Sequence, residues 1–377
     1  MLAPVQDLIV GIWHYIVPFL LMITPIIFFH ELGHFLMARA CGVRIETFSI
    51  GFGPALASWN DRFGTRWKIA SVPLGGYVKF FGDDNAASIP DRERLDGLSA
   101  GERQVAFPLK ALWQRALIVA AGPAANFVLA IVILTAFLMA LGTYAAAPEV
   151  SRVVPGSAAA AAGFRAGDTI LAVNGSRIEE FGDIRSFVWE RAGQSLAVQV
   201  RRGSHTLLLH VTPRLTRMNM IGGPQKVGLL GIDGPPPSQW KHVGYGFFSA
   251  VGEACNETWS VVATTFDQLG RIFTGDGKSS QISGPIGIAK LSGDVAAVSW
   301  LSLFRLAALI SISIGLVNLF PIPILDGGHL LYYGFEAVLG RPLGARAQDV
   351  GFRLGLAVMV GLMLLAAWND LVRLNLF

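Results

Sequence analysis

The chain has 377 residues, of which 53% are hydrophobic and only 15% are charged. Soluble domains are about 45–50% apolar and about 25% charged, so this composition argues against an ordinary soluble protein and favours one that lies largely in lipid. The net charge of +4 comes without a basic arm. That argues against nucleic acid as a partner and is consistent with loops beside anionic lipid.

Four segments are long and apolar enough to cross a bilayer, which takes about 20 helical residues. We place them at about residues 8–40, 112–141, 300–320 and 352–371. The first lacks the basic start of a cleavable signal peptide, so we expect it to remain as a helix. The predicted fold class is therefore a polytopic α-helical membrane protein with four transmembrane helices.

Lysines and arginines beside the spans predict the orientation, because they concentrate in cytoplasmic loops. Residues 1–38 contain none, whereas 39–115 contain many, and the loop before the fourth span carries Arg341 and Arg346. We therefore expect both termini and the 142–299 insert outside, and the 41–111 loop in the cytoplasm. Cys41 and Cys255 would lie on opposite sides and would not pair. An aromatic, partly acidic stretch at 240–273 suits a helix on the outer surface better than a fifth span.

The first span ends in the pentad HELGH at residues 30–34. On a helix, positions i and i+4 share a face, so His30 and His34 can bind one Zn²⁺ while Glu31 acts on a nearby water. Ionisable residues in a membrane are costly and usually functional. The alternative is an accidental helix with two satisfied histidines. The predicted depth of the pentad is near the cytoplasmic side.

The loop at 41–111 is too apolar and glycine-rich for a plain solvated loop. Strand-like pieces predict short β-hairpins that dip towards the membrane, where non-helical backbone must be covered. A free strand edge there could receive a substrate strand by β-addition. The alternative is a structural cytoplasmic hairpin. Glycine-rich sequences at 51–54 and 75–80 flank these strand-like pieces.

Residues 148–214 are soluble in composition and include the sequence GDTILAVNG at 167–175. This pattern, followed by a helix and two alternating strands, resembles a bacterial, circularly permuted PDZ domain. PDZ domains bind extended peptides by strand addition. The alternative is a spacer or gate with a blocked groove. The predicted domains are thus 1–145 with the first two spans, 146–215 as PDZ domain, 216–297 as linker and surface helix, and 298–377 with the last two spans.

A catalytic zinc usually has three protein ligands, and the sequence NLFPIPILDGGH at 318–329 offers the third. Pro321 and Pro323 break the third span, which places the Asp326 carboxylate at a depth similar to that of HELGH. His329 ranks second as a ligand. The alternative is a helix-ending turn with Asp326 as an ordinary N-cap.

The chain resembles the site-2 protease family of intramembrane zinc metalloproteases, and within it bacterial members like the regulator-of-sigma-E protease. The resemblance covers nearly the whole chain, through HELGH, GPAAN at 122–126, the PDZ insert and NLFPIPILDGG. It implies Zn²⁺ bound by His30, His34 and Asp326, Glu31 as general base and acid, and Asn318 as a helper at the substrate. It also implies a membrane-dipping β-loop at 75–80 that holds the substrate as a strand. The predicted substrate-binding residues are Gly75, Gly76, Tyr77, Val78 and Lys79 of this loop, together with Pro321 and Pro323.

The resemblance further implies a bacterial inner membrane, a periplasmic PDZ domain with a peptide or protein ligand, and regulated intramembrane proteolysis. The expected substrates are single-span membrane proteins, anti-sigma-factor-like or signal-peptide-like, cut first by another protease. One departure is the single PDZ domain, where the best-known sigma-E proteases carry two. The main alternative is a non-proteolytic membrane PDZ scaffold with a zinc site. A transporter would need more spans and an internal repeat, and a protease for soluble peptides would need no membrane substrate.

Overall fold

A computed structural model describes residues 11–83, 95, 97–189, 191–220, 223–274 and 284–373. Residues 8–10 of the predicted first span, 84–94 of the predicted cytoplasmic loop and 275–283 of the predicted linker and surface-helix region lie outside the described residues. Two compact units make up the chain, and each is described by itself. One comprises Met1–Ala136 and Val251–Phe377, and the other comprises Phe137–Ala250.

The helices and strands are numbered here in chain order. They are α1 (Val17–Ala40), β1 (Ile45–Asn60), β2 (Arg66–Phe80), α2 (Ala100–Val105), α3 (Leu112–Leu141), β3 (Thr143–Ala145), β4 (Arg152–Val153), α4 (Ala158–Ala161), β5 (Thr169–Val173), β6 (Ser176–Arg177), α5 (Phe181–Trp189), β7 (Leu196–Arg202), β8 (His205–Val211), β9 (Arg214–Met220), β10 (Gly223–Leu229), β11 (Ile232–Asp233), β12 (Lys241–Val243), α6 (Phe247–Thr274), α7 (Pro285–Val298), α8 (Trp300–Asn318), α9 (Asp326–Leu339) and α10 (Ala345–Arg373).

Four helices among the described residues are long and apolar enough to cross a membrane, which confirms the predicted number of spans. The third is slightly shorter than predicted, because the chain leaves the helix after Asn318. The fourth begins earlier than predicted, because its polar start is also helical. α6 is not one of the four, and it exposes Phe248 and Trp259. The segments are Trp13–Ala40, Leu112–Leu141, Trp300–Asn318 and Arg346–Val372.

The spans pack through small and aliphatic side chains. Met22 and Ile26 of α1 share a buried cluster with Leu303 and Ala307 of α8. At the end of α10, the buried Asp370 accepts hydrogen bonds from the backbone N–H groups of residues 284 and 287, at 3.0 and 2.8 Å. These groups begin α7 and have no partner inside that helix, so α10 caps α7 and holds it.

β1 and β2 form one long antiparallel hairpin, where the sequence predicts several short ones. The reason is that Gly51 and Gly53 lie inside β1, where their φ angles of 88° and 89° bend the strand without ending it. Residues 47–50 of β1 are consequently in register with both 66–69 and 76–79 of β2. No third strand among the described residues joins this sheet, so the far edge of 76–79 has no strand partner.

The second unit holds a four-stranded sheet in the order β6-β5-β7-β8. Its core is made of alternating valine, leucine and isoleucine residues from these strands, together with Ile184 and Val188 of α5. The unit is wider than the predicted 146–215, because β11 pairs with β4 and β9 pairs with β10. Much of the first part of the predicted linker, up to Asp233, is therefore β structure.

An ion pair fixes the turn that begins β5. The Asp168 side chain is fully buried and accepts hydrogen bonds from Arg202 Nε and Nη2 at 2.7 and 2.8 Å, and from the Arg165 backbone at 2.8 Å. Burial works to raise the pKa of Asp168, but these hydrogen bonds outweigh it and hold the pKa below its ordinary value. The carboxylate therefore stabilises this unit at neutral pH, and that contribution is lost as the pH falls through the lowered pKa.

Candidate metal and active site

Three ligand atoms converge in the helical unit. His30 Nε2 and His34 Nε2 on α1 lie 3.2 and 3.5 Å from Asp326 Oδ2, and the two nitrogens lie 3.3 Å apart. A tetrahedral zinc site with ligand bonds of about 2.0–2.1 Å has ligand atoms about 3.3 Å apart. The spacing of the three atoms therefore fits a zinc ion at their centre.

The chemistry of the donors fits as well. Asp326 Oδ2 is buried and accepts no hydrogen bond from any residue that the structure describes, although it faces two ring nitrogens. Two imidazoles and one carboxylate are a common donor set for Zn²⁺. A divalent cation between the three atoms would replace the repulsion of their lone pairs by ligand bonds.

The structure shows where the two alternatives for the third ligand position lie, namely Asp326 as an N-cap and His329 as a ligand. Asp326 is the first residue of α9, while Leu325 occupies the N-cap position, where no side chain caps the helix. Asp326 therefore does not act as an ordinary N-cap. His329 lines the same cavity. The group of possible ligands found among the described residues is nevertheless His30, His34 and Asp326.

Two glycines bring α3 against α1 at the histidines. A Cβ on Gly33 would lie 2.2 Å from the carbonyl oxygen of Ala121, and a Cβ on Gly122 would lie 2.1 Å from His34 Nε2. Neither distance is possible for a real side chain, so the two helices need glycine at both positions. At this close approach, His34 Nδ1 lies 2.9 Å from the carbonyl oxygen of Ile118.

An ion pair holds the start of α3 to α9. The Arg115 guanidinium makes two hydrogen bonds to the Glu336 carboxylate, at 2.5 and 3.2 Å. Both side chains are about 15% exposed. This two-point contact limits rotation of α9, the helix whose first residue is Asp326.

A cavity of about 150 Å³ opens beside the three ligand atoms. Glu31 faces it from α1, and Asn318 faces it from the end of α8. β2 borders it closely, since a Cβ on Gly76 would lie 2.9 Å from Glu31 Cγ. The cavity therefore brings a glutamate, an amide and a strand next to the candidate metal position.

Only some of the predicted substrate-binding residues line the cavity. Gly76, Tyr77 and Val78 line the cavity, but Gly75 and Lys79 do not. Lys79 instead makes an ion pair of 3.3 Å with Glu46. Pro321 and Pro323 also lie outside the lining. A Cβ on Gly355 of α10 would lie 3.0 Å from Pro323, which shows that this proline packs on the fourth span.

Several contributions to the site were not predicted, and three of them bear on its chemistry or shape. They are the carbonyl group of Ile118, the side chain of Asn126, 3.2 Å from His30 Nδ1, and Phe352 of α10, which lines the cavity. A backbone carbonyl and a phenylalanine in an apolar helix give no pattern in a sequence. Asn126 does, because it is a polar residue in the middle of a transmembrane segment.

The helical unit combines four helices of membrane-spanning length with a candidate metal centre of two histidines and one carboxylate, and a glutamate lies beside this centre. These features define a membrane-embedded metallohydrolase. The sequence model of peptidase family M50 matches residues 18–362. The chain belongs to this family, the site-2 proteases. It is a multi-pass membrane metalloprotease.

Named relatives agree with this family. The "Putative zinc metalloprotease Atu1380" of Agrobacterium fabrum is 44% identical over 95% of this chain and 95% of its own length. The metalloprotease MmpA of Caulobacter vibrioides is 44% identical over 98% of both chains. Among solved structures, a PDZ domain of an SdrC-like protein from Listeria monocytogenes is 20% identical, with a TM-score of 0.19. That match covers 24% of this chain and 90% of the other.

Proposed function

We propose that this protein uses Zn²⁺, held by His30, His34 and Asp326, to hydrolyse peptide bonds within the transmembrane segments of single-span membrane proteins. The observation that carries the proposal is the convergence of the three ligand atoms on helices of membrane-spanning length, beside an open cavity. A non-proteolytic scaffold would have no use for this geometry. We extend the proposal to regulated intramembrane proteolysis, in which another protease makes the first cut.

The chemistry divides among a few groups. When bound, Zn²⁺ supplies a Lewis acid that makes water a stronger nucleophile and polarises a carbonyl group. Glu31 removes the proton from the attacking water and passes it to the leaving amide nitrogen. Asn318 lies at the same cavity, where its amide can donate a hydrogen bond to the carbonyl oxygen of the substrate as negative charge develops there.

The substrate presents a physical difficulty, because a transmembrane helix hides its amide groups in i→i+4 hydrogen bonds. Local unwinding in lipid leaves backbone groups unpaired, at a cost of several kcal/mol each. The edge of β2 at 76–78 has no strand partner among the described residues and borders the cavity. It can supply replacement hydrogen bonds by β-addition.

This mechanism predicts that helix-breaking residues near the cleaved bond favour cleavage. Two single-span substrates that differ only in a central Gly-Pro or Leu-Leu pair would be incubated with the full-length protein in lipid vesicles. We expect the Gly-Pro substrate to be cut at least about tenfold faster, since proline disfavours an interior helix by about 3 kcal/mol. Fragments would be located by mass spectrometry.

The controls in that experiment decide the proposal. A zinc chelator should stop cleavage, and readded Zn²⁺ should restore it. A cut outside the apolar segment or efficient digestion of soluble casein would contradict intramembrane cleavage. Equal rates for both substrates would contradict the proposed unwinding step.

For the orientation, we propose a bacterial inner-membrane protein with both termini and the second unit in the periplasm, because the basic residues cluster in 39–115. The active site then lies towards the cytoplasmic side. We propose that the second unit is a PDZ domain that binds a peptide or protein ligand. The support is its sequence pattern at 167–175 together with its four-stranded sheet and α5.

Two natural cysteines report on this orientation, since Cys255 is exposed and Cys41 is partly exposed, and both are free. A maleimide that cannot cross membranes should label Cys255 but not Cys41 in spheroplasts. Both should be labelled after permeabilisation, which controls for the burial of Cys41. Labelling of Cys41 in intact spheroplasts would mean that the orientation is inverted.

A further inference from the structure

Asn126 is a buried polar residue that the proposed chemistry does not use. It lies in the middle of α3, its side chain is fully buried, and its amide is 3.2 Å from His30 Nδ1. Its backbone carbonyl accepts a hydrogen bond of 2.8 Å from Ser311 of α8. A Cβ on Gly315 would lie 3.2 Å from Asn126 Cβ. α8 therefore fixes the position of Asn126 on α3, close to the histidine.

Which nitrogen of each imidazole carries the proton follows from the hydrogen-bond partner of its Nδ1 atom. A neutral imidazole carries one proton, and a metal binds the bare nitrogen. Ile118 offers a carbonyl oxygen to His34 Nδ1 at 2.9 Å. A carbonyl can only accept, so Nδ1 of His34 carries the proton and Nε2 is free for the metal. The same requirement applies to His30, whose Nε2 also faces Asp326.

His30 Nδ1 must then also carry a proton, and its neighbour is the amide of Asn126. An amide nitrogen there would set a donor against a donor, and it would leave Asn126 Oδ1 buried without a partner. The two ends of an amide have nearly the same shape, so the hydrogen bonds decide between them. Turning the amide gives His30 Nδ1–H an acceptor and Oδ1 a partner, and it removes the contact between two donors at the cost of moving the NH2 group to the position that Oδ1 held.

We infer that Asn126 is a positioning residue that accepts a hydrogen bond from His30 Nδ1–H and so holds His30 Nε2 bare for the metal. This inference rests on the proposed zinc centre. α3 then supplies both acceptors for the metal-binding histidines, Ile118 through its backbone and Asn126 through its side chain. Loss of such a hydrogen-bond partner of a metal-binding histidine typically lowers metal affinity about 10–100-fold.

The test compares Asn126→Asp with Asn126→Leu in the purified full-length protein. Zn²⁺ affinity would be measured by competition with a chromophoric chelator, so no substrate is needed. Asp has the same shape and can only accept, so it should keep the affinity within about fivefold. Leu cannot accept a hydrogen bond, so Asn126→Leu should lower Zn²⁺ affinity about 10–100-fold. A purely structural role would give the reverse order, because a buried carboxylate costs more than a leucine.

Thr135→Val is the matched control. Thr135 lies on the same helix, is buried, and its hydroxyl has no hydrogen-bond partner within the part of the chain that the structure describes, so the change should leave zinc affinity unaltered. If Asn126→Leu does not fold, Asn126→Ala takes its place. Equal affinities for all variants, or weaker binding by Asn126→Asp than by Asn126→Leu, would overturn the inference alone. A wild-type protein that binds no Zn²⁺ would overturn the proposed function with it.

Discussion

Replacing Glu31 by glutamine should abolish proteolysis and leave the metal in place. Gln has nearly the same shape as Glu but cannot take a proton from water at neutral pH. General acid and base catalysis contributes about 10²–10⁴-fold at each step, and Glu31 is proposed to serve in both. We therefore expect the rate of cleavage of a membrane-embedded substrate to fall by at least about 10³-fold, measured under single-turnover conditions in lipid vesicles.

Zinc content separates a lost base from a lost metal site. The atoms of Glu31 are not among the three that converge, so Glu31→Gln should bind one Zn²⁺ per chain with wild-type affinity. Glu46→Gln is the matched control, because Glu46 also lies in this unit but pairs with Lys79 away from the cavity lining. It should keep activity within about threefold. Full cleavage by a zinc-loaded Glu31→Gln protein would mean that another group acts as the base.

The predictable part of the site consists of residues whose chemistry is costly in a membrane. Two histidines four residues apart and an aspartate after a proline-broken helix have few other reasons to be in apolar segments. Helical spacing puts the two histidines on one face, and loop charge together with the proline break in the third span predicts a similar depth for Asp326. The structure brings the three ligand atoms within 4.8 Å of one another.

The unpredicted part consists of contacts that depend on how helices pack. Nothing in the sequence around Phe352 distinguishes it from its apolar neighbours, yet it lines the cavity because α10 passes there. The hairpin shows the same limit. Gly51 and Gly53 are ordinary turn residues in a sequence, but the pairing of residues 47–50 with two segments of β2 makes them a bend inside one strand. Strand pairing between residues far apart in the chain decides whether such glycines form a turn or a bend, and the local sequence does not reveal that pairing.

The importance of Gly122 also depends on helix packing that the local sequence does not report. Gly122→Ala should disrupt the metal centre, because the added methyl group would lie 2.1 Å from His34 Nε2, the proposed ligand atom. Either the imidazole ring or the α3 backbone must move by more than 1 Å to restore a normal contact of about 3.5 Å. Zinc–ligand distances in proteins lie within about 0.2 Å of their standard values, so a shift of this size takes His34 Nε2 out of the ligand position. We expect zinc affinity to fall at least about 100-fold and proteolysis to fall with it.

Gly361→Ala is the control that isolates this contact. Gly361 also lies in a membrane-spanning helix, α10, and a Cβ there would meet no atom within 4 Å. Alanine favours a helix over glycine by about 1 kcal/mol, so both substitutions should help their helices locally. If Gly361→Ala keeps full zinc affinity while Gly122→Ala loses it, the loss comes from the histidine contact and not from a change in helix propensity. Wild-type zinc affinity in Gly122→Ala would instead mean that α3 does not approach His34 so closely, and the acceptor assigned to His34 on that helix would fall with it.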